Sequence, residues 1–577
     1  MKRLSESVEG RATAVMLAAL LLLLPLFGTA ADKGAGTENR KWVEGPLPPL
    51  TSSARYPVLA EEIFITVRDG TQLGARLLLP QGVPDAPRPC VLLSDGYGHN
   101  TPTGTAVQTP LNDLAARGYA GVHVSLRGSG NSGGEANLYN KFGDDGYDVI
   151  EWMAEQPWCN GRVGMVGPSL LGISQMLTAK EAPPALKAIV PYVACGDCYE
   201  YLWYPGGMLP GPGRAARPPA EYDTALAHRS YDEFWRSRTT IAPDHRKFAA
   251  DGIAALMGGG WNDYITPAAV RAFEEMVGRH NMLLIGPDAH GVMPSTPVLP
   301  YSFLEYQAMW MDRYLRGLQR SFDREPRALI YVQGPNQWRF EKRWPIPDTH
   351  TAKLYLRSVA SGSAASLNDG SLLGAGPGRN DPSVSIDYSP QTGPFLPTLR
   401  SGGAGTFKGD QRPEEANVLS WTTPALQAPT EMTGRAELSF WAEVGGTDAD
   451  FVVQLNDVAP DGTSTQVTVG YLNASHAHSR SHPTLPQPGE IRKYEMEIWP
   501  TSYVFQAGHR IRVDLASGAK PGAPGYVQGP GQSPYAALIT IHQDRRHASH
   551  LELPIVGTSW RQLTDRRSHE RDDDDDD

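Results

Sequence analysis

Apolar residues along the chain fall into two textures that divide near residue 325. Before it, continuous apolar runs rich in β-branched residues alternate with segments of helical period; after it, short alternating runs are separated by Gly, Pro, Asn and Asp. The first texture predicts strands buried on both faces and joined by crossover helices, hence an α/β domain with a parallel sheet. The second, with runs such as 354–356, 436–442, 451–455, 465–472 and 510–515, predicts an all-β sandwich or jelly roll.

Within the first region, runs 62–67 and 73–79 flank Asp69-Gly70 and predict a hairpin. Strands are expected at 90–94, 118–125, 186–193, 254–257 (followed by a Gly-Gly-Gly-Trp turn at 258–261) and 281–285, helices at 110–117, 144–155, 267–277 and 301–318, and a strand, turn and helix over 161–179. Between about 195 and 250 the alternation stops and Tyr, Trp, Pro and Arg accumulate, which predicts an inserted lid. The expected organisation is a core domain at 56–325 carrying that lid, then a β domain at 326–560.

The ends change the picture of where the protein works. Lys2, Arg3 and Arg11 precede the apolar run 12–27 and the small residues Gly28-Thr29-Ala30-Ala31, so residues 1–30 read as a signal peptide, with a retained anchor as the alternative. The expected location is periplasmic or secreted, with no stable membrane association after cleavage. Residues 31–55 read as a Pro-rich linker, and 561–577 as a tail whose six terminal aspartates repel one another. That tail carries much of the net charge of −11, and nothing in the remainder suggests a nucleic-acid partner. Cys195 and Cys198 have the spacing of a redox or metal half-site without a second pair, so a structural disulfide or two free thiols is the better reading.

Candidate chemistry centres on Gly167-Pro168-Ser169-Leu170-Leu171-Gly172, where a serine sits on a tight strand-to-helix turn. Such an elbow strains the serine backbone, and flanking glycines relieve contacts with the neighbouring strand and helix. Asp263 follows the strand and turn at 254–261, and His290 follows the strand at 281–285. Singly, each of the three is commonplace: a Gly-rich turn, a capping aspartate, a loop histidine. Together they stand in the order Ser, acid, His, each just past an expected strand, as in an α/β-hydrolase catalytic triad.

These residues also carry a resemblance. The stretch 161–172, Arg127-Gly128-x-Gly130-x-Ser132-x-Gly134, Gly260-Trp261-x-Asp263 and Gly286-Pro287-x-x-His290-Gly291 resemble the X-prolyl dipeptidyl-peptidase and cocaine esterase family of serine hydrolases. Tyr204-Pro205-Gly206-Gly207, Tyr231-Asp232-x-Phe234-Trp235 and Asp457-x-x-Pro460-Asp461-Gly462 extend the similarity to roughly 60–555. The resemblance implies an α/β-hydrolase core with a helical lid, a C-terminal jelly roll, and an active site among the three. It also implies that Tyr97, after an early strand, donates to the oxyanion alongside the backbone N–H of Leu170. The chain departs from the family pattern at Leu170 itself, where the family usually carries Tyr; the N–H survives, the side chain does not.

The expected activity is hydrolysis of a small-molecule acyl ester, or an amide, through an acyl-enzyme on Ser169, with no metal or organic cofactor. X-Pro dipeptidyl-peptidase, and β-lactam acylase or amino acid ester hydrolase, are alternatives. Peptidases that read a free N-terminus need carboxylates for its ammonium, and Glu200, Glu221, Asp223, Asp232 and Glu233 are the lid candidates. A non-catalytic, exported glycan-binding protein is the reading from a different class.

Overall fold

A computed structural model describes residues 40–42, 55–83, 87–135, 138–210, 219–276, 278, 280–290, 302–318, 327–397, 409–520 and 533–564. The expected signal peptide, nearly all of the linker and most of the acidic tail lie outside the described residues. Among the described residues no helix is long and apolar enough to cross a membrane.

The first sheet has eleven strands: β1 (Arg40–Trp42), β2 (Val58–Thr66), β3 (Gln72–Pro80), β4 (Arg88–Asp95), β5 (Ala120–Ser125), β6 (Cys159–Pro168), β7 (Leu186–Tyr192), β8 (Ala254–Gly260), β9 (Asn281–Gly286), β10 (Ala328–Val332) and β11 (Gln337–Glu341). Their order across the sheet is β1-β11-β10-β9-β8-β7-β6-β4-β5-β3-β2. From β5 to β10 every neighbouring pair is parallel, and the flanking pairs are antiparallel. The apolar runs read from sequence are these central strands, and β4, β5, β7 and β9 are buried along almost their whole length.

Helices α1 (Pro102–Val107), α2 (Thr109–Ala116), α3 (Phe142–Ala154), α4 (Leu170–Glu181), α5 (Pro219–Ala227), α6 (Glu233–Arg236), α7 (Ala242–Ala250), α8 (Thr266–Glu275) and α9 (Phe303–Arg316) make the crossovers and the lid. The one helix read at 110–117 is in fact two, because Thr101 caps an additional turn by accepting the N–H of Gly104. Residues 170–179 of α4 are buried on every face.

Chain order reverses at β4. The chain moves outward to β5, then returns across β4 to β6, so β4 and β6 are adjacent strands whose following loops diverge. A crevice outside the carboxyl ends of parallel strands forms at such a switch. Tyr97 follows β4 and Ser169 follows β6.

The lid between β7 and β8 contains a short π-helix at Tyr199–Trp203 and helices α5 to α7. Its aromatic residues pack on one another: the Tyr199 ring centroid lies 5.2 to 5.5 Å from those of Tyr204, Tyr231 and Trp235. The β domain follows as a largely antiparallel eleven-stranded sheet. It closes on itself because strand His550–Val556 pairs with both Thr349–Arg357 and Thr430–Val444. Closure removes the edge that strand His550–Val556 would otherwise present.

All four cysteines are joined, Cys90 to Cys159 and Cys195 to Cys198. The first pair ties β4 to β6, the strands on either side of the switch.

Candidate active site

Ser169 occupies φ 54° and ψ −123°, a conformation that side chains rarely adopt. It is held there from both sides. Its N–H donates to the carbonyl of Tyr192 at the end of β7 (3.0 Å), and its carbonyl accepts from Gly172 and Ile173 (2.8 and 2.9 Å). A β-carbon on Gly167, at φ 139°, would stand 2.6 Å from Leu171, and one on Gly172 would stand 2.5 Å from Ala194. Both glycines are therefore required for the helix to leave the strand this sharply.

The strain places Ser169 Oγ 2.9 Å from Nε2 of His290. On the other side of the ring, Nδ1 lies 3.2 and 3.1 Å from the two carboxylate oxygens of Asp263. An ionised carboxylate can only accept, so Nδ1 carries the proton and Nε2 is left to accept from the serine hydroxyl. Asp263 is fully buried and His290 is partly exposed, with side-chain exposures of 0% and 16%.

The two loops that carry Asp263 and His290 are laced by backbone. Strands β8 and β9 end level, Gly260 opposite Gly286. Trp261 N–H donates to Gly286 (2.8 Å), Asn262 N–H donates to Asp288 (3.2 Å), and the Asn262 amide donates to the Pro287 carbonyl. The Tyr264 ring lies 5.5 Å from the imidazole, limiting its rotation. Burial also pushes the Asp288 carboxyl up to about 6, and its Oδ2 has no partner among the described residues. Asn262, Tyr264 and Asp288 were not singled out in the sequence, although all three lie within three residues of the expected acid or base.

Tyr97 lies across the switch. Its N–H donates to Asp95 Oδ1 (2.7 Å), while Asp95 Oδ2 is 3.0 Å from His123 Nε2. The buried Asp95 thus fixes the loop, a role sequence reading missed. Leu170 fills the space above Gly96: its Cδ2 would be 2.4 Å from a β-carbon there, so the loop bearing Tyr97 abuts the start of α4. Tyr97 is 39% exposed, and its hydroxyl makes no hydrogen bond among the described residues. The N–H of Leu170 opens α4, where a helix has no acceptor of its own for it. Five positions read as candidates from sequence, Tyr97, Ser169, Leu170, Asp263 and His290, therefore meet at the carboxyl edge of one sheet. Gly291 lies outside the described residues.

The lid carboxylates are scattered. Asp232 pairs with His228 and caps α6, Glu233 reaches Arg236, and Asp223 is exposed. Glu200 lines a cavity of about 410 Å³ between lid, core and β domain, which it shares with Asp197, Arg271, Arg480 and Glu497. Burial, reinforced by Asp197, raises the Glu200 carboxyl to about 7.

Known proteins share this architecture and part of this sequence. Residues 69–218 match the model of the X-Pro dipeptidyl-peptidase (S15 family), and residues 320–552 match that of the X-Pro dipeptidyl-peptidase C-terminal non-catalytic domain. A cocaine esterase from Rhodococcus is 27% identical, with 86% of this chain and 98% of the relative aligned. Among solved structures, an α-amino acid ester hydrolase superposes with a TM-score of 0.70 at 20% identity, covering 91% of this chain and all of its own. An aminopeptidase from a marine sediment archaeon does so with a TM-score of 0.70 at 21% identity, covering 89% and 99%. Two models of one family, matching the core and the β domain in turn, account for both textures of the sequence: the chain belongs to the X-prolyl dipeptidyl-peptidase and cocaine esterase family of serine hydrolases.

Proposed function

We propose that the protein is an exported serine esterase that cleaves small acyl esters through an acyl-enzyme on Ser169. One observation carries the reading: a serine in a strained turn within hydrogen-bond reach of an imidazole whose far nitrogen faces a buried carboxylate. His290 Nε2 takes the hydroxyl proton as Oγ attacks the ester carbonyl, and Asp263 stabilises the imidazolium that forms. The Leu170 N–H and the Tyr97 hydroxyl donate to the oxyanion. His290 returns the proton to the leaving alcohol, then activates the water that releases the acid.

The ester reading stands above peptide hydrolysis because Asp232 and Glu233 are already paired, Asp223 is exposed, and Glu200, which lines the junction cavity, titrates near 7 and so offers a substrate ammonium only part of a charge at neutral pH. Export is supported by the basic and apolar start of the chain and by the joining of all four cysteines, which suits an oxidising compartment.

The test compares p-nitrophenyl acyl esters with an X-Pro p-nitroanilide, using the wild type and S169A. Ester turnover that disappears in S169A, with slower or absent anilide turnover, is expected. Faster anilide cleavage would reverse the ranking. A fluorophosphonate that fails to label Ser169 would favour the non-catalytic reading.

A further inference from the structure

A second cluster of chemistry-bearing side chains lies in the β domain, on the loop between strands Ala537–His542 and His550–Val556. His542, Asp544 and His547 each offer one ligand atom, and the three atoms lie within 4.8 Å of one another. We propose that they form a zinc site, with two imidazole nitrogens and one carboxylate oxygen as ligands and water completing the shell.

The geometry fits such an ion. Asp544 Oδ2 lies 3.1 Å from His547 Nδ1. Two ligands bound to one Zn²⁺ by bonds of about 2.0–2.1 Å in a tetrahedron stand about 3.3 Å apart, so this pair is already placed. Bringing in the third atom needs a movement of at most about 1.5 Å, within reach of a side-chain adjustment. The two imidazole rings are adjacent, with centroids 5.4 Å apart.

The unexplained group is His542. Its Nε2 is buried without a hydrogen-bond partner, a costly state for a ring nitrogen unless something binds there. The surrounding loop is already ordered. Asp544 Oδ1 accepts the N–H groups of Arg546 and His547 (2.6 and 3.0 Å), which leaves Oδ2 for the metal. Ser549 Oγ donates to the His542 carbonyl (2.6 Å) and accepts the Trp441 N–H (2.9 Å), fastening the loop to strand Thr430–Val444. Two imidazoles favour zinc or a neighbouring transition ion over Ca²⁺ or Mg²⁺, which take oxygen ligands. None of these residues belongs to the proposed active site, so the ion would clip the hairpin and take no part in the esterase chemistry.

The experiment titrates Zn²⁺ into the chelator-treated full-length protein against a chromophoric chelator, for the wild type, H542A, H547A and D544N. D544N keeps the Oδ1 acceptor for the turn and removes the anionic ligand. One equivalent per chain in the wild type, weakened more than about tenfold in all three variants, is expected. Zn²⁺ should also raise the wild-type Tm and leave D544N unmoved. An absent stoichiometric site would overturn the proposal, as would an equivalent retained in H547A and D544N, which would place the ion elsewhere, for example on the terminal aspartates. Ester turnover equal in D544N and the wild type, with or without Zn²⁺, is expected, and its loss on chelation would also overturn the clip assignment.

Discussion

The edge of the core sheet and the cavity at the lid junction hold their polar groups by different means. At the edge, positions are set by backbone: Ser169 is clamped by Tyr192, Gly172 and Ile173, and the Asp263 and His290 loops are laced through Trp261 and Asn262. A single buried carboxylate serves a single imidazole. At the junction, side-chain charges do the holding: Arg271 pairs with Glu497, Arg480 with Asp197, and the Arg480 guanidinium lies 3.9 Å from the Tyr231 ring. Backbone clamps fix a reacting atom to fractions of an ångström, which near-attack geometry demands. Long side chains in ion pairs tolerate small shifts between the parts they join, which suits a seam between lid, core and β domain.

Losses at the edge should therefore be chemical and losses at the junction structural. The largest expected effect is S169A, which should lower kcat for an ester by about 10⁴-fold or more with an unchanged Tm, since triad members act as a unit. D263N should follow at about 10³- to 10⁴-fold, because an amide in that place no longer enforces the productive tautomer of His290. Y97F should cost about 10²-fold in kcat with little change in KM, the signature of a donor used mainly in the transition state. A Y97F enzyme with wild-type kcat would remove the phenol from the oxyanion hole and leave Leu170 N–H as the assigned donor.

The edge was the more legible region in sequence, for a physical reason. Parallel strands buried on both faces are continuous apolar runs, so their carboxyl ends can be read as the points where Asp95, Pro168, Gly260 and Gly286 break the run. Functional residues in this fold follow those ends, and Ser169, Asp263 and His290 could be placed without knowing any side-chain contact. The Cys90–Cys159 link could not be read, because it depends on β6 lying beside β4, a consequence of the reversal after β5. The Arg271–Glu497 and Arg480–Asp197 pairs span 226 and 283 residues of sequence, so no local pattern announces them. Asp95 stands where a buried strand run ends, and only its contacts with Tyr97 and His123 show it anchoring the loop.

At the junction the expected effects are on stability. The Arg271 and Glu497 side chains are 38% and 30% exposed, so solvent screens the pair and R271A should cost about 1–2 kcal/mol, with kcat within about twofold of wild type. A hundredfold loss of kcat in a folded R271A would break the contrast, by showing that the seam positions the reacting groups.

The smallest effect on turnover is also the sharpest probe of the cavity. Glu200 titrates near 7 in the folded chain instead of at the ordinary 4.5, chiefly because burial disfavours its charged form. Between those two values the folded chain keeps a proton that the unfolded chain has released, so folding takes up a proton and stability falls as pH rises through the window. E200Q stays neutral and can still accept the Gly206 N–H that Glu200 Oε1 now takes at 3.1 Å. Relative to wild type it should therefore gain about 2–3 kcal/mol between about pH 5 and pH 8, read from urea midpoints at each pH. A difference that stays flat across the window would mean that Glu200 is ionised and solvated throughout. The carboxylate would then be free to hold a substrate ammonium at neutral pH, and the p-nitroanilide comparison would need repeating with E200Q.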